Sequence, residues 1–351
     1  MSTKSTLKVA LVGAGNISRE YLNNLTASES ITVVAVTDLA PKAAAARAEE
    51  FGIDVHGSPE LALEHPEVEL VINLTIPSVH AEVSAKALQA GKHVWSEKPV
   101  ALTHASGEML RDVLKNSEGP LGCAPDTFLG PGLQAALEQL RSGVIGQPLF
   151  ARAVMRYPGP ENWHPNPAFL YAPGAGPLFD MGPYYLTFLV DALGPVASVA
   201  AVGTTPRPTR TVATGPIAGI EFEVHVPTTT YVLLTFESGA TANLTLSFDA
   251  PAKEPIQFEI VGSEGSLQLP DPNNFSGSST LRIKGQEEPT VIDPGPESTT
   301  RGTGIIEMAD AIANGRPHLA SAELALHVLD VLLSASESME SGNVVKVSST
   351  I

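Results

Sequence analysis

Two polar side chains stand at the start of an otherwise apolar helical segment. Asp180 and Tyr184 are four residues apart in LFDMGPYYLTFLVDALG (178–194), so a helix places them one turn apart on one face. Pro183 is tolerated in a first turn, where backbone N–H groups have no helical partner, so the helix is predicted to begin near Asp180 as its N-cap. Capping and packing would explain this pair structurally, but a carboxylate and a phenol can also take part in proton transfer.

The segment GAGNIS (13–18) has the pattern of a phosphate-binding turn between a strand and a helix. Gly13 permits the tight turn and Gly15 lets the backbone approach a pyrophosphate, while Ser18 replaces the third glycine and is small enough for close packing. The helix that follows directs backbone N–H groups at the anion. The cofactor contacts predicted in this turn are Gly13, Gly15, Asn16 and Ile17.

An acidic residue follows the glycine turn at the spacing of a dinucleotide-binding unit. Asp38 ends the second apolar strand, about 20 residues after the turn, where it can accept hydrogen bonds from both ribose hydroxyls. Its charge would repel a 2′-phosphate, and Leu39, not an arginine, comes next. NAD is therefore the predicted cofactor, with NADP as a possible second one.

The composition excludes several classes of protein. A formal charge of −17 argues against binding to nucleic acid or to an anionic membrane, since both need concentrated Lys and Arg. The one cysteine, Cys123, cannot form an internal disulfide or a multi-cysteine metal site, and no metal is predicted. Apolar runs of membrane-spanning length and a signal-peptide pattern are both missing from the sequence, so a cytoplasmic location is predicted.

The elements that position these residues follow from the hydrophobic pattern. In the first third, apolar runs alternate with helical segments, which predicts an α/β domain: a doubly wound parallel sheet, or Rossmann fold, with helices on both faces. The strand that ends in HVWSEKP (93–99) places Lys98 at the carboxyl edge of this sheet. Open parallel sheets bind their ligands at that edge.

The pattern changes from about residue 127 to segments of period two, which predict an α+β domain with a large open, mostly antiparallel sheet. The predicted domains are residues 1–126 for cofactor binding and 127–351 for substrate binding and oligomerisation, with the C-terminal helices packing back. Segments 204–216 and 271–280 are rich in Pro, Gly and polar residues and are predicted as loops.

Five motifs occur in one order along essentially the whole chain: GAGNIS, VTD, NLTIPSVH, EKP and GAGPLFDMGPYYL. Because it carries these five motifs in this order, the chain resembles the glucose-fructose oxidoreductase, inositol dehydrogenase and rhizopine catabolism (Gfo/Idh/MocA) family. The resemblance implies that Glu97 and Lys98 lie beside the nicotinamide, with a cis peptide before Pro99. It also implies that a second loop follows the ribose and pyrophosphate. The residues of that loop are Thr75, Ile76, Pro77 and His80.

The resemblance also gives a role to the residues at the helix start. Family members commonly combine the Lys of EKP with an Asp and a His four residues apart; here Asp180 fits and Tyr184 replaces His, as in the dihydrodiol dehydrogenase and glucose-fructose oxidoreductase branches. A tyrosine in water has a pKa of about 10, so a tyrosine base needs a nearby cation that favours its phenolate. We predict that Tyr184 takes the hydroxyl proton, that Lys98 supplies this cation, and that Asp180 positions Lys98 or the substrate.

The segment 157–176 precedes this helix and combines aromatic rings, prolines and polar groups. Such a loop suits a sugar or cyclitol ring, offering faces for stacking and groups that bind hydroxyls, although a rigid surface loop would have a similar composition. Asp126 is placed near the substrate by its family position. The predicted substrate contacts are Asp126, Tyr157, Trp163 and His164.

These residues predict an NAD(P)-dependent dehydrogenase that oxidises a secondary alcohol of a sugar, anhydrosugar, glycoside or cyclitol. Two alternatives stay open at this point. One is an enzyme with tightly bound NAD that runs a closed redox cycle, as a hydrolase, a lyase or a sugar-to-sugar oxidoreductase. The other is a non-catalytic dinucleotide sensor. An open sheet with an uncovered face further predicts a homodimer or homotetramer.

Overall fold

The computed structural model describes residues 6–295 and 299–351. The chain divides into two compact units, Met1–Gly130 with Ser298–Leu329 and Pro131–Glu297 with Asp330–Ile351. The sequence predicted one boundary after residue 126. The division lies at Gly130, and the later stretch Ser298–Leu329 belongs to the first unit.

Strands and helices alternate through the first 130 residues. In chain order they are β1 (Leu7–Val12), α1 (Asn16–Leu25), β2 (Ile31–Thr37), α2 (Pro41–Phe51), β3 (Val55–Gly57), α3 (Pro59–Glu64), β4 (Leu70–Asn73), α4 (His80–Gln89), β5 (His93–Ser96), α5 (His104–Lys115) and β6 (Leu121–Cys123). The six strands described here form one parallel sheet in the order β3-β2-β1-β4-β5-β6. This is the doubly wound order, and the predicted Rossmann fold is confirmed.

Strand register brings the ends of neighbouring strands together in this sheet. Val12 pairs with Thr37 on β2 and with Asn73 on β4, and Asn73 pairs with Ser96 on β5. Strand β4 is buried along its whole length, and β1 is buried apart from Lys8, as expected for strands covered on both faces. The residues that follow these strand ends therefore lie along one edge of the sheet.

The remaining chain begins with α6 and ends with a short strand. Its elements are α6 (Pro131–Arg141), β7 (Pro148–Arg156), α7 (Gly176–Leu193), β8 (Val196–Thr204), β9 (Thr209–Thr211), β10 (Glu221–Glu223), β11 (Thr229–Phe236), β12 (Thr241–Ser247), β13 (Gln257–Gly262), β14 (Gly265–Gln268), β15 (Ser279–Ile283), β16 (Thr290–Ile292), α8 (Thr303–Asn314), α9 (Ala322–Ser341) and β17 (Val345–Lys346). Helix α8 and the first residues of α9 belong to the first unit, and the rest belongs to the second.

A large sheet forms the second unit, with the described strands in the order β16-β15-β14-β13-β7-β12-β11-β8-β17. Neighbouring strands are antiparallel except β7 and β12, which are parallel. One face packs against α7, where Tyr185 and Phe188 meet Phe258 edge-on at 5.3 and 5.5 Å. The predicted open, mostly antiparallel sheet is confirmed.

The start of α7 differs from the prediction. The helix begins at Gly176, one turn before Asp180, and Pro177 rather than Pro183 occupies its first turn. Gly176 has a φ of +76°, and a Cβ there would lie 2.9 Å from the Val226 side chain, so this first position requires glycine. Asp180 is therefore inside the helix and is not its N-cap. Pro183 lies inside the helix as well and removes one backbone donor.

A short strand lies in a segment predicted as a loop. Within 204–216, β9 pairs with β10 in a separate two-stranded antiparallel sheet. The central residue of β9, Arg210, is buried although its neighbours Thr209 and Thr211 are exposed. A buried arginine needs partners that a local pattern does not reveal.

Asp126 connects the first 130 residues to α8. Its carboxylate is fully buried, and Oδ2 accepts hydrogen bonds from the backbone N–H of Gly302 at 2.8 Å and of Gly304 at 3.2 Å. Its Oδ1 lies 3.7 Å from the Arg301 guanidinium. These contacts explain why the chain around α8 belongs to the first unit. They also correct the prediction that Asp126 binds substrate, because no surface of this side chain is exposed.

Burial raises the pKa of Asp126 to about 6, against the opposing effects of Arg301 and of the two backbone N–H groups. The ordinary value is 3.8. The folded state favours the protonated carboxyl of Asp126 over the ionised one. The protonated group therefore adds fully to the free energy of unfolding below about pH 4, and this added stability is lost as the pH rises through about 6. The described contacts satisfy Oδ2 but leave Oδ1 without a hydrogen bond, which accounts for the cost of ionisation.

Asp126→Asn is expected to remove this pH dependence, because the amide does not ionise. Between pH 4 and pH 7, the free energy of unfolding of the wild type should fall relative to the variant by roughly 3 kcal/mol, from the shift of Asp126. Urea unfolding followed by tryptophan fluorescence at several pH values measures this difference. A difference between the two proteins that stays constant over this range would contradict the assignment.

Candidate active site

Asp38 follows β2 and is held against the glycine turn. Its Oδ2 accepts a hydrogen bond from the Ala14 N–H at 2.7 Å, and its Oδ1 accepts one from the Ala40 N–H at 2.8 Å. Each carboxylate oxygen can accept more than one hydrogen bond, so both retain capacity for hydroxyl donors. The carboxylate is thus fixed in position and can still bind the two hydroxyls of a ribose.

The glycine turn leaves room for an anion at the start of α1. Gly13 has a φ of +109°, and a Cβ there would lie 2.5 Å from the Leu74 carbonyl oxygen, so only glycine fits. A Cβ on Gly15 would meet nothing within 4 Å, and no side chain caps α1. Asn16 is exposed, and Ile17 is half-buried. This open space beside backbone N–H groups suits a pyrophosphate.

An arginine that no sequence motif predicted lies near this turn. Arg47 on α2 donates a hydrogen bond to the Gly15 carbonyl at 3.3 Å and forms a 2.5 Å ion pair with Glu50. Glu50 also pairs with Arg19 at 2.8 Å, so two arginines share one carboxylate. Leu39, which follows the ribose-binding candidate Asp38, is 88% exposed and carries no charge. The carboxylate of Asp38 favours a ribose hydroxyl over a 2′-phosphate.

The loop after β4 is fixed by side-chain hydrogen bonds. The Thr75 hydroxyl donates to Asn73 Oδ1 at 2.6 Å, Ile76 is exposed, and Pro77 is half-buried and starts a short 3₁₀ turn. Thr75, Ile76 and Pro77 thus lie on the accessible side of the sheet edge. Their predicted contacts with the cofactor stay a prediction.

His80 has a different position from the one predicted. Its ring is buried, with Nδ1 at 2.8 Å from the Pro99 carbonyl oxygen and Nε2 at 3.0 Å from the Thr75 carbonyl oxygen. Burial lowers the pKa of His80, while the two carbonyls oppose this effect. His80 therefore connects the loops that follow β4 and β5. The predicted direct contact with the cofactor is corrected, because the ring has almost no exposed surface.

Glu97 and Lys98 directly follow β5. Glu97 Oε1 accepts a hydrogen bond from the Tyr21 hydroxyl at 2.8 Å, and Oε2 accepts one from the Lys98 N–H at 3.0 Å. Trp95 Nε1 donates to the same Tyr21 hydroxyl at 3.3 Å. Burial, followed by the charge of Glu97, raises the pKa of Tyr21, so this phenol stays a donor. The peptide before Pro99 is cis, as the resemblance implies.

In the second unit, Tyr157 lies within electrostatic reach of Asp180, one of the two catalytic candidates on α7. Tyr184 is 6% exposed and Asp180 is half-buried, one turn apart on the helix. Burial raises the pKa of the Tyr157 phenol, and the negative charges of Asp180 and Glu161 raise it further. Tyr157 therefore stays protonated and lies within electrostatic reach of Asp180. Its ring packs edge-on against Phe248 at 5.1 Å.

The two other predicted substrate contacts lie in an aromatic row. Trp163 is 60% exposed, and its ring meets His164 at 5.5 Å, while His164 meets Phe169 at 5.3 Å. The His164 Nδ1 accepts a hydrogen bond from the Asn166 N–H at 3.0 Å. This nitrogen is thereby the acceptor, and the ring orientation is set. The row presents aromatic surface to solvent on the segment that leads into α7.

Buried charged groups that no sequence motif predicted lie beneath this segment. Glu161, Tyr171, Arg210 and Asp249 form a hydrogen-bonded cluster inside the second unit. A local sequence signal for it is weak, because Arg210 lies in a Pro- and Thr-rich segment that is typical of a loop.

Two further findings concern metals and membranes. Within residues 6–295 and 299–351, no three His, Cys, Asp or Glu side chains are grouped so that they could hold a metal ion. Over the same residues, no helix combines the length and apolar character needed to cross a membrane. The cytoplasmic location stays a prediction.

Family models match both units of the chain. Residues 7–122 match the oxidoreductase family with an NAD-binding Rossmann fold, and residues 133–268 match the Gfo/Idh/MocA C-terminal domain. Inositol 2-dehydrogenase of Ralstonia nicotianae is 28% identical over 289 residues, covering 77% of this chain and 76% of its own. The 1,5-anhydro-D-fructose reductase of Ensifer adhaerens is 26% identical over 321 residues, covering 85% and 95%.

A solved structure shows the same fold. Levoglucosan dehydrogenase in complex with NADH and L-sorbose matches with a TM-score of 0.84 and 21% identity, covering 98% of this chain and 100% of its own. The glycine turn, the carboxylate at Asp38 and the strand order agree with these matches. The chain belongs to the Gfo/Idh/MocA oxidoreductase family and has its NAD-binding Rossmann fold.

Proposed function

We propose that this protein is an NAD-dependent dehydrogenase that oxidises a secondary alcohol on a sugar, anhydrosugar, glycoside or cyclitol ring. The observation that carries the proposal is the sheet edge at which Asp38, the glycine turn and Lys98 all follow strand ends. Relatives over most of the chain are named for inositol, anhydrofructose and levoglucosan, which supports a polyhydroxy ring as substrate.

The cofactor contacts support NAD over NADP. Asp38 would accept hydrogen bonds from both ribose hydroxyls and repel a 2′-phosphate. The exposed Leu39 offers apolar surface to the adenine side of the cofactor. We therefore expect NADP to be used far less efficiently than NAD.

The chemistry of the reaction assigns roles to three side chains. Oxidation of a secondary alcohol removes a hydride and a proton, and NAD⁺ supplies the hydride acceptor when bound. In our proposal the Tyr184 phenolate oxygen takes the hydroxyl proton, Lys98 stabilises that phenolate by its positive charge, and Asp180 positions the substrate hydroxyl or the lysine.

The segment before α7 would bind the ring itself. Tyr157 keeps its phenol proton because burial and two carboxylates raise its pKa, so it can donate a hydrogen bond to a substrate oxygen. Trp163 would stack on the ring, as exposed aromatic faces do with sugars, and His164 would bind a hydroxyl.

Substitution of Tyr184 or Lys98 tests the catalytic roles. With NAD and a panel of pyranoses, anhydrosugars, glycosides and inositols, at least one compound should reduce the cofactor, measured by absorbance. Tyr184→Phe and Lys98→Ala should each lower kcat by about a hundredfold or more, because the proton acceptor or its stabilising charge is lost. Binding of NADH, measured by fluorescence titration, should remain.

Tyr185→Phe is the matched control, because the neighbouring hydroxyl has no hydrogen-bond partner among the described residues and should be dispensable. Near-normal turnover in Tyr184→Phe would overturn the assignment of the base. Failure of the whole panel, together with NAD that stays bound through dialysis and is released on denaturation, would favour the closed redox cycle. Failure with weakly bound NAD would favour the dinucleotide sensor.

We also propose that the uncovered face of the large sheet pairs with a second copy of the chain, giving a homodimer or homotetramer. On this face Tyr231 of β11 pairs with Val202 of β8, and Leu233 lies two residues further along β11. Strand β12 presents the polar residues Thr241 and Asn243 between β11 and β7. The exposed apolar residues of the face are Phe150, Val202, Tyr231 and Leu233. Large apolar side chains exposed together on one surface are typical of a protein–protein interface.

Leu233→Glu is expected to dissociate the oligomer, because it would bury a carboxylate without a partner in the proposed interface. Sedimentation velocity should show a dimer or tetramer for the wild type and a monomer for the variant at equal concentration. Val291→Glu is the control, since Val291 is similarly exposed but lies on the edge strand β16. A monomeric wild type would refute the proposed interface.

A further inference from the structure

Arg210 is the centre of a buried cluster of charges in the second unit. It is 4% exposed, and its Nη1 and Nη2 lie 2.5 Å from Glu161 Oε1 and from Asp249 Oδ1. The Tyr171 hydroxyl donates a hydrogen bond to the other oxygen of Glu161. The guanidinium also lies 5.3 Å from the centre of the Tyr171 ring. One cation thus holds two carboxylates and an aromatic ring.

Asp249 attaches this cluster to the large sheet. Its Oδ2 accepts hydrogen bonds from the Thr228 and Thr229 hydroxyls at 2.6 and 2.8 Å, and Arg207 contacts its Oδ1 at 3.1 Å. Partial burial opposes ionisation of Asp249, but these hydrogen bonds and the charge of Arg210 outweigh it and lower its pKa. The carboxylate is therefore a fixed, ionised anchor at the end of β12.

Glu161 and Tyr171 lie in the segment that would bind the substrate ring. Arg210 Nη1 also donates to the Pro158 carbonyl at 3.3 Å, at the beginning of this segment. Two backbone hydrogen bonds add to this contact. The Ala213 N–H donates to the Glu161 carbonyl at 2.9 Å, and the His225 N–H donates to the Tyr171 carbonyl at 3.0 Å. The segment 158–171 is thus attached at both ends to the β9–β10 region.

The inner face of this segment is tightly packed, whereas its outer face is accessible. At Gly159, which has a φ of +105°, a Cβ would lie 2.4 Å from Glu161 and 2.6 Å from the Tyr171 hydroxyl. On the outer face, Trp163 and Phe169 are exposed. A row of rings on a segment fixed from beneath loses little conformational freedom when it binds a ligand.

We propose that Arg210 is a positioning residue for substrate recognition: it holds the segment 158–171 in the conformation in which Trp163 and His164 meet the ring. This inference rests on the proposed dehydrogenase function. Buried ion pairs add little net stability compared with apolar residues of similar volume, so a role in fixing one conformation is the better explanation for this cluster. Arg210 itself does not contact the substrate.

Arg210→Gln tests this role through the separation of KM and kcat. With the best substrate of the panel, measured well below the melting temperature of the variant, KM should rise about tenfold or more. The value of kcat should stay within about threefold, and NADH affinity should not change, because the catalytic groups and the cofactor contacts remain. Arg210→Lys should recover part of the loss, since it keeps the charge but not the two-pronged contact.

Arg207→Gln is the matched control. Arg207 contacts the same Asp249 oxygen from the exposed side, so its loss should leave KM unchanged. Hydrogen exchange gives a readout that does not depend on activity. Peptides within 158–171 should exchange about tenfold faster in Arg210→Gln and at the wild-type rate in Arg207→Gln. If Arg210→Gln does not fold, Tyr171→Phe is the substitute variant, because it removes one hydrogen bond of the cluster. It should raise KM and speed the hydrogen exchange of 158–171 by smaller factors.

The outcomes separate this inference from the proposed function. If the wild type oxidises a substrate and Arg210→Gln keeps both KM and hydrogen exchange near wild-type values, the positioning role is overturned and the dehydrogenase stands. A large loss of kcat with unchanged KM would also overturn it, because the cluster would then act on the catalytic groups. If the wild type oxidises no compound of the panel, the proposed function fails and the substrate role of Arg210 fails with it.

Discussion

The parallel register of β1, β2, β4 and β5 is the constraint on which the cofactor side of this molecule depends. Each strand donates and accepts backbone hydrogen bonds with its neighbours, so their ends cannot shift independently. The chain leaves each strand at the same edge. Gly13, Asp38, Thr75 and Glu97 reach that edge from four distant parts of the sequence. A shift of one strand by one residue would turn its functional side chain to the opposite face.

Buried polar groups stabilise the loops that leave this edge. The ring nitrogens of His80 lie against carbonyls of two different loops, and the single N–H of the neutral ring can donate to one of them, while the Tyr21 hydroxyl donates a hydrogen bond to Glu97. The Asp126 carboxylate accepts a hydrogen bond from the Gly302 N–H and so fixes the start of α8. Such groups are costly to bury unless their hydrogen bonds are made, so each of them restricts the backbone to few conformations. The result is a set of short loops whose side chains are fixed before any ligand binds.

The second unit uses the same principle with charges. The guanidinium of Arg210 lies between two carboxylates, one on the sheet and one on the segment before α7. Its Nε has no hydrogen-bond partner among the described residues. Apolar residues of similar volume would therefore give the same or a higher free energy of unfolding than this cluster. A Cβ at Gly159 would collide with two members of the cluster, which leaves the segment little freedom to move. This arrangement keeps the segment that carries the exposed rings rigid.

Local patterns in the sequence were sufficient for the features that depend on nearby residues. The glycine turn with Asp38, the alternation of strands and helices, and the placement of Asp180 and Tyr184 one turn apart on one helix all rest on spacings within about two dozen residues. These features determine the fold class and the cofactor. The resemblance of five motifs then identified the family and suggested its site residues.

Only the tertiary structure decided which polar residues are buried and what they hold. Asp126 meets its partners 176 and 178 residues later, and Arg210 reaches a glutamate 49 residues earlier. Gly176, where α7 begins, lies against Val226 from another part of the chain. A single charged residue in a polar segment has the same appearance in the sequence whether it is solvated or buried. Its burial depends on partners brought by the whole fold, and this is the physical reason why these residues could not be assigned before the structure was known.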